Sequence, residues 1–412
     1  MNARLYLGFL FLLLINISFG QSNVVSKEKI NHIFSDGALQ YQSLLDSANI
    51  KMKYPRSSKD GNITYAGIEE WTGGFWPGAL WYMFEYTQNT FWKDAAIKWT
   101  ESLENNQFNT NHHDIGFMMY SSYGNGYRLT KNEKYKDILV QSAKSLCKRY
   151  NPKVGAIKSW NDKPSIDGKD TLHFPVIIDN MMNLELLFFA SKITGDTMYK
   201  HIAIKHAEKT MMNHVRADFS SYHVVDYDTI TGKPLHRETN QGFAHNSTWA
   251  RGQAWGIYGF TMAFRETGDK RFLNTAIQMA DFFINHKKLP ADKIPNWDFN
   301  VNEKGYQSPV TSQANKLTYI PKDASAGAIV ASALLELSNY TGAKGLVYKT
   351  TANQILNVLC SEAYFAKPGT NNSFLLMHST GNANRLSEVD KPLMYADYYF
   401  LEALLRSTKI NN

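Results

Sequence analysis

Two aspartates stand where this chain could carry out proton transfer. Asp114 lies in Asn111-His112-His113-Asp114-Ile115-Gly116-Phe117, and Asp179 lies in Phe174-Pro175-Val176-Ile177-Ile178-Asp179-Asn180-Met181-Met182-Asn183. Each sits where a helical stretch begins. Paired carboxylates in a cleft are the usual apparatus for acid–base work on glycosides. An Asp at a helix start has a plainer use as an N-cap that accepts first-turn N–H groups, and that alternative stays open for both. The neighbouring histidines lack the i, i+4 spacing of a one-face zinc site, so no metal is expected. A third cluster, Thr248-Trp249-Ala250-Arg251-Gly252-Gln253-Ala254-Trp255-Gly256, combines two indole rings with a cation. Arg can clamp a carboxylate through two N–H bonds, and Trp can stack on a sugar ring. Trp71-Thr72-Gly73-Gly74-Phe75-Trp76, Ser159-Trp160, Tyr222-His223, Gln241 and Tyr395-Ala396-Asp397 are weaker candidates. A nucleophile elbow, a Walker loop and a dinucleotide fingerprint are all missing, so no cofactor is expected.

The elements that must hold these residues are helices, and they repeat. Five turns read EYTQNTFW, RLTKNEKY, KITGDTMY, RETGDKRF and NYTGAKGL, with threonines at 87, 130, 194, 267 and 341. Five residues after the Thr stand Trp92, Tyr135, Tyr199, Phe272 and, in the last copy, Leu346. Asn, Asp and Gly at these turns suit a helix stop followed at once by a new N-cap. Five helical hairpins, with Ser26–Ile50 before them and Pro392–Thr408 after, make twelve helices. The pattern predicts an all-α fold, an (α/α)6 barrel spanning 21–412 as one domain. The first helix of each hairpin faces inward, as the nearly uncharged stretches 252–263 and 324–337 indicate, and the second carries a polar face. Segments 151–178, 214–249 and 287–322 would gather over one mouth of the ring. Only Ser221–Tyr227 shows strand-like alternation.

Composition bounds the rest. Lys and Arg number 44 against 37 Asp and Glu, a mild excess with no dense basic run, so a nucleic-acid partner is not expected. Nine Trp, 23 Tyr and 23 Phe exceed the needs of a core and suit a sugar-binding cleft. Residues 1–20, MNARLYLGFLFLLLINISFG, read as a cleaved signal peptide. The chain is therefore expected to be exported, to the periplasm or beyond, with no membrane span. Cys147 and Cys360 are read as two buried thiols rather than a bridge.

WTGGFWPG, HDIGF, IIDNMMNLELL, STWARGQAWGIYGF and YADYYFLEALL, in this order, resemble glycoside hydrolase family 88, the unsaturated glucuronyl hydrolases. The resemblance covers the chain after residue 20 and implies the same six-hairpin barrel. It implies a substrate bearing a Δ4,5-unsaturated uronic acid at the non-reducing end, as polysaccharide lyases leave. Asp179 then matches the acid/base that protonates C4 and assists water attack at C5, and Asp114 matches the second carboxylate. His113, Trp160, His223, Gln241, Trp249, Arg251 and Trp255 match substrate-contact positions. In the loop Met377–Lys391, Ser379 is a candidate contact, but the loop departs from the family's sulfate-binding pattern, leaving the parent polysaccharide open. The rival readings are an unsaturated rhamnogalacturonyl hydrolase on the same barrel, and a non-catalytic glycan-binding protein, which would have no need of both aspartates.

Overall fold

The computed structural model describes residues 24–410; the signal-peptide segment 1–20 lies outside the described residues. The helical path runs α1 (Lys27–Lys51), α2 (Phe75–Thr87), α3 (Thr90–Glu101), α4 (Ile115–Met119), α5 (Asn125–Thr130), α6 (Glu133–Cys147) and α7 (Leu184–Thr194). It continues through α8 (Thr197–Asn213), α9 (Ala250–Thr267), α10 (Lys270–Asn285), α11 (Ala324–Ser338), α12 (Gly345–Leu359) and α13 (Met394–Ile410). A π-helical turn at Tyr120–Gly124 joins α4 to α5, so the two form one inner rod.

The hairpin joints explain the repeat. In four of them the Thr hydroxyl donates to the carbonyl one turn back, while its oxygen accepts the N–H two residues on: Thr87 serves Met83 and Asn89, Thr130 serves Gly126 and Asn132. Thr194 and Thr267 do the same for Ala190 and Asp196, and for Ala263 and Asp269. Each of those Asn or Asp residues then caps the next helix through its own side chain. Trp92, Tyr135, Tyr199 and Phe272 follow, all buried. The fifth joint differs. A 3-10 turn at Gly342–Lys344 delays α12, leaving Leu346 exposed and burying Tyr348 in its place.

The inner ring is α2, the α4–α5 rod, α7, α9, α11 and α13, and α13 packs back on α2 to close it. Every residue of α9 from Ala250 to Ala263, and of α11 from Ala324 to Leu337, is buried. Helices α3, α6, α8, α10 and α12 form the outer layer. The sixth hairpin is built from the two ends of the helical path: α1 lies outside α13, and Tyr41 donates to Asp397 at 3.3 Å. This is the expected (α/α)6 barrel.

Strands are more numerous than the sequence suggests, because each is too short to show sustained alternation. Pro175–Ile177, Val224–Tyr227 and Pro234–Glu238 form an antiparallel sheet, with Val176 opposite Val225. Hairpins Tyr54–Lys59/Asn62–Ala66 and Ser379–Asn382/Ser387–Lys391 add to the same end of the ring. Both cysteines are free thiols, as expected; Cys360 is buried, but Cys147 is only half-buried. No described helix is long and apolar enough to cross a membrane.

Candidate active site

A cavity of about 370 Å³ opens where the inner helices begin, under the inserted hairpins. It brings together Asp114, Asp179, His113, Trp160, Gln241, Trp249 and Arg251, seven of the ten residues singled out from the sequence. Trp71 and Tyr395, from the weaker candidates, line it too, whereas Asp397 does not. Asp397 instead accepts the main-chain N–H groups of Leu375 and Leu376 and ties that segment to α13.

The N-cap alternative fails for both aspartates. Asp114 precedes α4 and Asp179 lies in the 3-10 turn Ile178–Asn183, and neither side chain caps a helix. Their oxygens are left for the cavity. Asp114 faces His113 Nε2 and His112 Nδ1 at 3.3 Å each. Asp179 Oδ2 is buried without a hydrogen-bond partner and lies 3.7 Å from His223 Nε2, itself unpartnered. His223 Nδ1 accepts the N–H groups of Asn240 and Gln241 at 3.2 Å, which leaves its proton on the nitrogen facing Asp179. The His223 ring lies against Trp249, with centroids 4.5 Å apart. Gly116 is required between the two motifs: a Cβ there would come within 2.4 Å of the Asn183 Cα.

Three expected contacts are not cavity walls. His223 and Trp255 sit behind it, each acting on Asp179. Ser379 is fully buried outside the cavity, its place on the wall taken by Gly381 and Asn382 further along the same strand. Arg251 lines the cavity, and much of its guanidinium is already engaged by the wall. Its Nη1 donates to Asp323 and to the Thr380 carbonyl at 2.6 Å each, and its Nη2 donates to the Gly381 carbonyl at 2.6 Å. Asp323 in turn caps α11. The guanidinium therefore holds the cavity wall in place.

Arg56, Lys163, Asn240 and Glu388 also line the cavity and escaped sequence reasoning, since hairpins rather than motifs bring them there. Arg56 is held by Glu70 and Glu388. Lys163 Nζ lies 4.2 Å over the Trp160 ring and donates to Asn240. Arg385 lines the cavity too, and neither it nor Lys163 has an ion-pair partner among the described residues. Among those residues no group of three or more His, Cys, Asp or Glu side chains is arranged to hold a metal ion.

Environment separates the two carboxyls. Burial pushes Asp179 up to about 7; its own main-chain N–H, Arg251 and Trp255 resist, and Asp114 adds to the rise. Burial also raises Asp114, but His113 and His112 outweigh it and hold that carboxyl below its usual range. One carboxyl is thus poised as an acid near neutrality while the other stays an anion. If Asp179 donates a proton, kcat/KM must be level below its titration and fall about tenfold per pH unit above it, with the bend at about 7. A pH–rate profile that rises through neutrality would make Asp179 a base instead.

A six-hairpin barrel with a carboxyl pair and aromatic walls at the mouth of its inner helices fits a glycoside hydrolase. Comparison narrows the class. An unsaturated glucuronyl hydrolase of Formosa agariphila is 43% identical over 409 residues, covering 98% of this chain and 97% of that protein. An unsaturated chondroitin disaccharide hydrolase of Streptococcus pneumoniae is 33% identical over 94% of this chain and 93% of its own. Among solved structures, an unsaturated glucuronyl hydrolase specific for heparin superposes with a TM-score of 0.85 at 43% identity, over 94% of this chain and 98% of that one. A Streptococcus agalactiae unsaturated glucuronyl hydrolase mutant, complexed with dGlcA-GalNAc6S, gives 0.75 at 29% identity, over 93% and 92%. No family model matches the chain. The chain belongs to the unsaturated glucuronyl hydrolases, glycoside hydrolase family 88.

Proposed function

We propose that the chain removes a Δ4,5-unsaturated uronic acid from the non-reducing end of lyase-generated oligosaccharides, by hydrating the double bond. The observation that carries this reading is the carboxyl pair in one cavity, with burial pushing Asp179 up to about 7 while its neighbours hold Asp114 below the usual carboxylate range. Asp179 gives its proton to C4, and the cation left at C5 is stabilised by the ring oxygen. Water adds to C5 and returns a proton to the Asp179 carboxylate. The hemiketal so formed opens and expels the remaining sugar. Asp114 stays anionic throughout and holds ring hydroxyls, and Trp160, Trp249 and Gln241 flank the sugar.

Names of relatives span chondroitin disaccharide and heparin substrates. For this chain, Lys163 and Arg385 at the cavity favour an aglycone that carries an anionic group. Export of the enzyme rests on the sequence of residues 1–20 alone.

The isotope fate of the alkene tests the reaction. Turnover of a lyase-derived disaccharide in heavy water should place solvent deuterium on C4 of the released product, with loss of the conjugated double bond. A saturated glucuronide of the same aglycone should be a very poor substrate. Cleavage that leaves the double bond intact and C4 unlabelled would mean ordinary attack at the anomeric carbon. Absence of turnover across a panel of lyase products, with binding retained, would leave a glycan-binding protein.

A further inference from the structure

Between the two aspartates lies a side chain to which the chemistry above gives no part. Asn183 ends the 3-10 turn that contains Asp179 and is fully buried. Its Oδ1 accepts the main-chain N–H of Phe117 at 2.7 Å. A main-chain N–H can only donate, so the amide's orientation is settled: oxygen toward Phe117, nitrogen away from it. That nitrogen meets His113 Nδ1 at 3.2 Å. An amide NH₂ can only donate as well, so Nδ1 is the accepting nitrogen and the proton of a neutral His113 must sit on Nε2. Nε2 in turn lies 3.3 Å from Asp114 Oδ1, facing it without a hydrogen bond. Asn180 supports the same polarity. Its Nδ2 donates to the Ile157 carbonyl at 2.9 Å, leaving its Oδ1 to accept from Asn183 at 3.5 Å.

We infer that Asn183 is a positioning residue for this reaction: its amide fixes His113 as the neutral, Nε2-protonated tautomer aimed at Asp114, and its oxygen pins the backbone after Asp114 to the turn that carries Asp179. The inference rests on the acid–base reading of the cavity. The groups that act on His113 are Asp114, the Asn180 side chain, His112 and Arg149, with His206 of α8 behind it. Those that act on Asp179 are Arg251, Asp114 and His223. With His113 neutral, its Nε2–H points toward Asp114 without bonding to it, and His112 and Arg149 are left to hold Asp114 as an anion. An imidazolium there would stabilise both carboxyls as anions and would strip Asp179 of the proton it must donate.

The first test needs no substrate. Long-range proton–nitrogen spectra of the full chain, labelled in histidine and assigned for His113 through His113→Gln, should show Nδ1 unprotonated. A proton on Nδ1 overturns the inference, whatever the enzyme turns over. The second test is Asn183→Asp, which keeps an acceptor for Phe117 but replaces the donor facing His113 with another acceptor. His113 should then gain a proton on Nδ1. The alkaline limb of kcat/KM on an unsaturated disaccharide should move, by on the order of one unit, as the charge around Asp179 is rearranged. A lower kcat with an unmoved limb would show Asn183 to be packing only. If the variant does not fold, the wild-type tautomer still decides. Failure of the wild type on every lyase product would sink the proposed reaction instead, and leaves the tautomer measurement standing.

Discussion

Asp179→Asn should lose turnover by about 100- to 10,000-fold, and by more if one carboxyl both donates the first proton and receives the last. The amide has the shape of the carboxyl and no acidic proton. Because Asp179 makes no helix cap and its Oδ2 has no hydrogen-bond partner, the substitution breaks no capping bond and leaves no orphaned donor that relies on that oxygen. Folding and affinity for an unsaturated disaccharide should therefore stay near wild type. Single-turnover kinetics together with calorimetric titration would separate the two effects. Activity within a factor of a few of wild type would remove Asp179 from its role.

Arg251→Ala should act through the fold. The Arg251–Asp323 pair is nearly inaccessible to solvent, 1% and 0% exposed. Removing one partner of such a pair typically costs about 3–5 kcal/mol, because the remaining charge stays buried and uncompensated. Here the loss also unseats the Thr380 and Gly381 carbonyls, hence the strand that walls the cavity. We expect a large drop in the unfolding midpoint, with activity lost alongside it. The paired change Arg251→Met with Asp323→Leu should recover much of the stability and little of the activity. If Arg251→Ala keeps the wild-type midpoint and only raises KM, the guanidinium binds substrate after all.

The contrast between those residues shows what the sequence makes legible. Asp114, Asp179 and Trp249 were found because each stands at the start of an inner helix, and helix starts are set by nearby residues. The threonine joints were readable for the same reason, since each is a bond pattern within about six residues. Arg251 was found, but not the wall contacts it makes. An Arg beside two Trp reads as a sugar-site cation until Asp323 is known to occupy it, and that partner lies 72 residues away. Ser379 lies off the cavity wall for a similar reason: strand register decides which residues of the 379–382 segment face the cavity, and register depends on pairing with Ser387–Lys391. Lys163 and Arg56 carry no local pattern at all. Their hairpins reach the cavity only because the ring gives them a common floor. Leu346 occupies the repeat position that Tyr348 fills in space, because two glycines allow a short turn that shifts the frame.

The closing of the ring by α13 has a consequence for biosynthesis. Helix α13 presents Glu402 to Tyr82 of α2, to Tyr258 of α9 and to Ser332 of α11, so three earlier helices wait on one late residue. Until that segment emerges from the ribosome, the nascent chain is an open horseshoe. The apolar inner faces of α2 and α11 then have no partner, and the Tyr395 wall of the cavity does not exist. Such exposed surface is prone to aggregation. A product terminated just before Met394 should thus behave as a sticky, inactive fragment rather than as a slightly shortened enzyme, and the cell must keep the growing polypeptide from associating until its final helix has been made.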